Sequence, residues 1–268
     1  MHKAPEIARF VRMYLRAVLP DLTETFKRRD ILRMRGHLVQ MVSVGVGRGG
    51  WVRVYPSLSV LGPGTYKKNL NSYKCKDGSL DVDSLFSAVS LEAMSASATR
   101  RWHFPPDTPL DEAFAAEIHR RLKEDSPISF TDPLEDEAID KTLRWFGKDG
   151  YWLAHLFLAY FNIIRGAPTA RKDLARAFHL FIKHSRYSTD KPLRDWEEAL
   201  LARFQELESR LDRPDCIALC RADAEEHARL LKLPPIVWPP EWPESVPPWP
   251  KEADGLIAKL GGFFARKP

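Results

Sequence analysis

The chain has 268 residues, 44% hydrophobic and 11% aromatic, which is enough apolar side chain for one large or two ordinary folded cores and argues against a disordered chain. No run of 18 apolar residues occurs, and Glu6, Arg9, Arg12 and Arg16 interrupt the amino-terminal stretch where a secretory leader would be continuously apolar, so a cytoplasmic protein with no membrane partner is expected. Three cysteines, Cys75, Cys216 and Cys220, do not make a disulfide framework.

The charge is uneven. Residues 1–106 carry 17 Lys and Arg against 8 Asp and Glu, whereas the remainder carries 24 against 28, so the amino-terminal part has a basic field that favours an acidic partner, protein or nucleic acid.

Residues 5–28 have Ile7, Phe10, Val11, Tyr14, Leu15 and Val18 at helical spacing, with a break expected at Pro20. Arg9, Arg12 and Arg16 then share another face, which is an ordinary solvated stripe or a contact for phosphate or acid. Arg28, Arg29, Arg33 and Arg35 follow. Next comes the one clear β-hairpin: Leu38, Gln40, Val42, Val44 and Val46 alternate with Val39, Met41 and Ser43, the GRGG turn carries Arg48, and Val52, Val54, Leu58 and Val60 continue the two-residue period opposite Trp51, Arg53 and Tyr55. A Gly- and Lys-rich loop with Lys67 and Lys68 is expected after it, then a helix from Ser79 on Val82, Leu85, Phe86, Val89 and Met94, and a short strand around Trp102 to Phe104.

A boundary is expected near residue 106, where charge, proline content and pattern change together. Beyond it the periodicity predicts helices over 109–124, 133–147, 149–165, 168–185, 192–211 and 213–231, joined by connections short enough for an antiparallel bundle over 107–232. YWLAHLFLAYFNII, residues 151–164, is apolar nearly all round and is expected at the bundle centre. The carboxyl-terminal 233–268 is a third region: a proline-rich strap with Trp238, Trp242 and Trp249, read as an intramolecular brace rather than a ligand for a proline-binding domain, and a terminal helix from about Lys251. The fold class expected is α+β, with a small antiparallel sheet and helices first, an all-helical bundle second and the strap last.

No complete catalytic signature appears. Gly45, Gly47 and Gly50 spell GxGxxGxV with Val52, the pattern of a kinase phosphate loop, but no lysine, HRD or DFG partner follows, so it reads as a hairpin turn. Cys216, Cys220, Asp223 and His227 fall on one side of a helix, too far strung out to meet at one zinc ion, and read as core. His155, His179 and His184 have no nucleophile at a recognisable spacing. The acid-rich DPLEDEAID, residues 132–140, is accounted for by a helix amino terminus. A non-enzymatic chain with no cofactor and no metal is expected.

The basic helix ending in FKRRD, the strand LVQMVSVGVG with Gln40, the glycine turn and the second strand WVRVYPSLSVLG together resemble small bacterial immunity-type domains of uncharacterised function found beside polymorphic toxins, over about residues 5–100. The resemblance implies a non-catalytic protein that neutralises a cognate toxin by binding and occluding it. The expected partner-binding set is Arg9, Arg12, Arg16, Arg28, Arg29, Arg33, Arg35, Arg48, Lys67 and Lys68. The other readings are a nucleic-acid-binding accessory protein in phage defence or regulation, using the same basic side chains, and an enzyme with a site that no motif marks.

Overall fold

The computed structural model describes residues 2–23, 29–62, 89–90, 102–124, 130, 132–147, 152–185, 195–245 and 249. The fold is α+β. The chain divides into two compact units, Met1–Ser59 with Ala88–Thr142 and Val60–Ser87 with Leu143–Pro268, so the expected border near residue 106 is not where the chain divides. The physical reason is aromatic packing: Phe114, beyond that border, stacks on Phe10 at 5.3 Å between ring centroids and meets Phe104 edge-on at 4.7 Å.

In the first unit, α1 (Ala4–Phe10) runs through a π-helical turn (Val11–Leu15) into α2 (Arg16–Val18). The Lys3 N–H donates to Glu6 Oε2 at 2.9 Å and so caps the helix start. Ile7, Phe10, Val11 and Leu15 are buried, as the spacing requires. The helix stops before Pro20, and residues 24–28 of the expected segment lie outside the described residues.

Two long strands and a short one were expected, and three long ones are present. β1 (Asp30–Arg35) pairs antiparallel with β2 (Leu38–Val46) in a register running from Asp30 opposite Ser43 to Arg35 opposite Leu38. β2 turns into β3 (Val52–Val60), which also pairs with β4 (Val89–Ser90) and β5 (His103–Phe104). β5 matches the short strand expected there. β4 interrupts the helix expected from Ser79, whose other positions lie outside the described residues, as does the loop with Lys67 and Lys68. α3 (Glu112–Glu124) starts where Asp111 Oδ1 accepts the Phe114 N–H at 3.0 Å, and it packs on the π-turn segment.

α4 (Asp136–Gly147) spans the point where the chain passes from the first unit to the second. The second unit continues with α5 (Trp152–Ile164), α6 (Ala170–His184), α7 (Asp195–Arg210) and α8 (Cys216–Leu230), each close to its expected range. α5 is buried from Leu156 to Ile164 and packs most extensively on α6, so the apolar segment is the centre of this unit. Residues 232–245 then cross this unit without regular structure: Trp242 meets Phe161 at 5.7 Å, Trp238 Nε1 donates to Glu225 at 2.8 Å, and Trp249 Nε1 donates to the Ala167 carbonyl at 2.8 Å. Arg221 completes the brace by donating to the carbonyls of Trp242 and Pro243 while its guanidinium lies 4.8 Å from the Trp238 ring. The expected terminal helix lies outside the described residues.

Candidate functional site

The arginines of the first unit fall into two groups. Arg9, Arg12 and Arg16 are exposed on the first helix, and Arg29 is exposed before β1. Among the exposed helical arginines stands Met13, 48% exposed and within the π-turn, whose Sδ accepts from Arg9 Nε at 3.4 Å. The turn closes through the Arg16 N–H to the Val11 carbonyl, one residue longer than an α-helical turn, a local irregularity frequent at functional positions. Arg16 also donates to the Thr23 carbonyl. The outcome is an open cationic face with one polarizable apolar side chain, carried by a helix whose opposite side is fixed in the core.

The second group is engaged internally. Arg33 Nε donates to the buried Gln40 at 2.7 Å and its Nη2 to the Asp132 carbonyl at 2.6 Å, and burial pushes its guanidinium pKa down. Arg35 Nε pairs with Asp136 at 3.0 Å. Arg33 and Arg35 were expected on the partner surface; they also meet the acid-rich segment 132–140, through the Asp132 carbonyl and the Asp136 carboxylate, at this edge strand. Arg48 lies in the turn between β2 and β3, and Arg28, Lys67 and Lys68 lie outside the described residues.

The glycine pattern has a steric explanation. A Cβ on Gly47 would stand 2.3–2.9 Å from the Arg53 guanidinium, and one on Gly45 would contact the Tyr55 ring at 3.9 Å. Gly47, just after β2, therefore leaves room for the Arg53 side chain reaching over from β3, whereas a Cβ at Gly45 would make only ordinary contact.

The second unit holds a polar cluster that sequence reasoning did not assemble. Asp223, 2% exposed on α8, accepts from Arg203 Nη2 at 2.7 Å and Arg210 Nη1 at 2.5 Å, both on α7. Glu206 bridges the same two arginines at 3.0 and 2.6 Å. Burial of Arg203 works against its charge, but Tyr160, Asp223 and Glu206 outweigh it and raise the guanidinium pKa above its ordinary value. Arg203 Nη2 also donates to the Gly62 carbonyl at 2.8 Å, while the Gly62 N–H donates to His227 Nδ1 at 3.1 Å. Tyr160 donates to the Cys220 carbonyl at 2.8 Å, and a Cβ on Gly62 would lie 2.5 Å from its hydroxyl. Two helices, α7 and α8, thus bond both backbone polar groups of one residue whose φ is +105°, and the Tyr160 ring of α5 closes over it.

This arrangement assigns the candidate metal side chains to other partners. Asp223 is held by two cations, His227 by a backbone amide, and among the described residues no group of three His, Cys, Asp or Glu could hold an ion. Cys216 and Cys220 are buried as expected; Cys216 donates to Cys220, which together with burial raises the first thiol and lowers the second against its own burial. His155 Nε2 lies 3.1 Å from the Gly147 carbonyl, with its pKa lowered chiefly by burial, and His179 and His184 are exposed. The signal that could have found the cluster is the spacing of Arg203, Glu206 and Arg210 on one side of α7 together with an aspartate in the apolar stripe of α8.

No helix among the described residues is long and apolar enough to cross a membrane. No protein-family model, no curated protein and no solved structure matches the chain.

Proposed function

We propose that this chain is an interaction protein of the immunity type, which neutralises a toxin by binding it, and that the docking face is the exposed side of the first helix. The observation that carries the reading is the placement of Arg9, Arg12 and Arg16 around Met13 on an open face, backed by the buried stripe Ile7, Phe10, Val11 and Leu15. A basic surface of this kind steers an acidic partner into encounter, and a flexible thioether adapts to the apolar part of the contact. Docking over an acidic active site would occlude it without chemistry by this chain.

The test is titration of the purified chain against the product of the adjacent gene, with co-expression survival as the biological readout. Reversing the face with Arg9→Glu, Arg12→Glu and Arg16→Glu is expected to weaken binding at least a hundredfold, from roughly 1–3 kcal/mol per desolvated charged contact, and to abolish protection. An unchanged affinity for the triple variant would refute the assignment of this face. A mobility shift on duplex DNA, lost in the same variant and falling steeply with salt, would favour the nucleic-acid reading instead.

A further inference from the structure

The tip of the β2–β3 hairpin has features that the helix-face reading does not use. Trp51 is 44% exposed and is the one exposed large aromatic side chain among the described residues of the first unit. It immediately precedes β3, on the side taken by Arg53 and Tyr55 because the intervening Val52 and Val54 are fully buried, and alternate positions stand roughly 7 Å apart along a strand. Arg53 lies over Gly47 and donates from Nη1 to the Tyr55 hydroxyl at 3.3 Å, while the Tyr55 ring reaches Gly45. The Gly47 N–H to Trp51 carbonyl bond at 2.8 Å closes the tip. The result is an indole at the entry to β3 followed by a guanidinium and a phenol on the strand, with glycines beside them on the β2 side and His103 opposite Arg53 on the β5 side.

Charge selects the class of ligand. From residue 31 to residue 62 the chain has Arg33, Arg35, Arg48 and Arg53 and no Asp or Glu, so a polyanion approaching the tip meets no repulsion from the hairpin. A sugar would call for carboxylates or amides to bind its hydroxyls, and none stands in β3 or the turn. An open aromatic face beside a cation is the combination that accepts an unpaired base and its phosphate.

We propose that this tip is a platform for single-stranded nucleic acid: Trp51 stacks a base, Arg53 contacts the adjoining phosphate, and Tyr55 supports the guanidinium and extends the surface. The platform is independent of the protein-docking face on the first helix. Duplex is a poor ligand for it because paired bases do not expose their faces.

The test is fluorescence anisotropy of a labelled oligothymidylate of about 12 nucleotides, titrated with the full chain at low and physiological salt. Saturable binding that weakens with salt and quenches tryptophan emission is expected. Trp51→Ala should weaken it roughly tenfold to a hundredfold, Trp51→Phe should retain most of the affinity, and Gly47→Ala, which displaces the Arg53 guanidinium, should weaken it with the indole still in place. Absence of saturable binding at low salt, equal binding by Trp51→Ala, or equal competition by a duplex of the same length would each overturn the proposal. So would loss of oligonucleotide binding in the Arg9, Arg12 and Arg16 triple variant alone. Loss of binding to the adjacent-gene protein in Trp51→Ala, with no oligonucleotide binding by the parent, would make the tip a protein contact instead. Failure of the triple variant to affect that protein bears only on the helix face.

Discussion

The first helix and the α7–α8 pair place the same side chain in opposite settings. On the first helix Arg9, Arg12 and Arg16 stand in water, whereas between α7 and α8 Arg203 and Arg210 are drawn inward and held by Asp223 and Glu206, as Arg33 of β1 is drawn toward Gln40. A guanidinium in water contributes little to stability and can be lent to a partner, whereas a buried one must be matched charge for charge and fixes local backbone geometry. Exposure, and not residue type, therefore separates the arginines suited to recognition from those that organise the fold.

The strongest challenge to that contrast is removal of the shared anion. Asp223→Ala leaves two guanidinium groups short of a buried acceptor and should cost about 3–5 kcal/mol in urea unfolding, while any arginine of the exposed helix face changed singly should stay within about 0.5 kcal/mol. Equal effects on the two sets would break the distinction. Next in size is Gly62→Ala, which combines a positive φ with a close approach of the Tyr160 ring, and a loss of about 2–4 kcal/mol in the same assay is expected.

The smallest effect sharpens the role of Glu206. Partial burial pushes this carboxyl up, but Arg203 and then Arg210 outweigh it, so the native pKa lies below its ordinary value. A depressed native pKa contributes stability that is complete above the unfolded value, about 4.3, and is lost as pH falls through the native value. Glu206→Gln should be less stable than the parent at neutral pH by under about 1 kcal/mol, since the side chain is partly in water, with the gap closing in acid. A gap that widens below pH of about 4 would reverse the assignment.

Periodicity made the helices and the long hairpin legible because burial acts on many residues at once. It did not reveal β1, where Arg33 and Arg35 interrupt an otherwise strand-like run and their partners, the Asp132 carbonyl and the Asp136 carboxylate, lie far along the chain. The charged clamp around Gly62 was hidden for a related reason: Arg203, Asp223, His227 and Gly62 come from three separate segments, and spacing within any one of them does not state what it faces. The glycines read as a hairpin turn, and Gly47 and Gly50 lie in it. Their pattern matches a phosphate loop, yet Gly47 is small where Arg53 lies across it, a cross-strand relation that a linear motif does not encode.

The π-turn at Val11–Leu15 has a consequence for how such a surface can change. It inserts one residue beyond what the helix needs, with Phe10 and Val11 anchored before it and Leu15 after it, so deletion at Met13 would restore regular winding and bring Arg12 and Arg16 one position closer while the hydrophobic anchors keep their seats. Surface charge spacing and burial are thereby uncoupled along a single helix, and a change of chain length by one codon would re-space the exposed charges without moving the core residues.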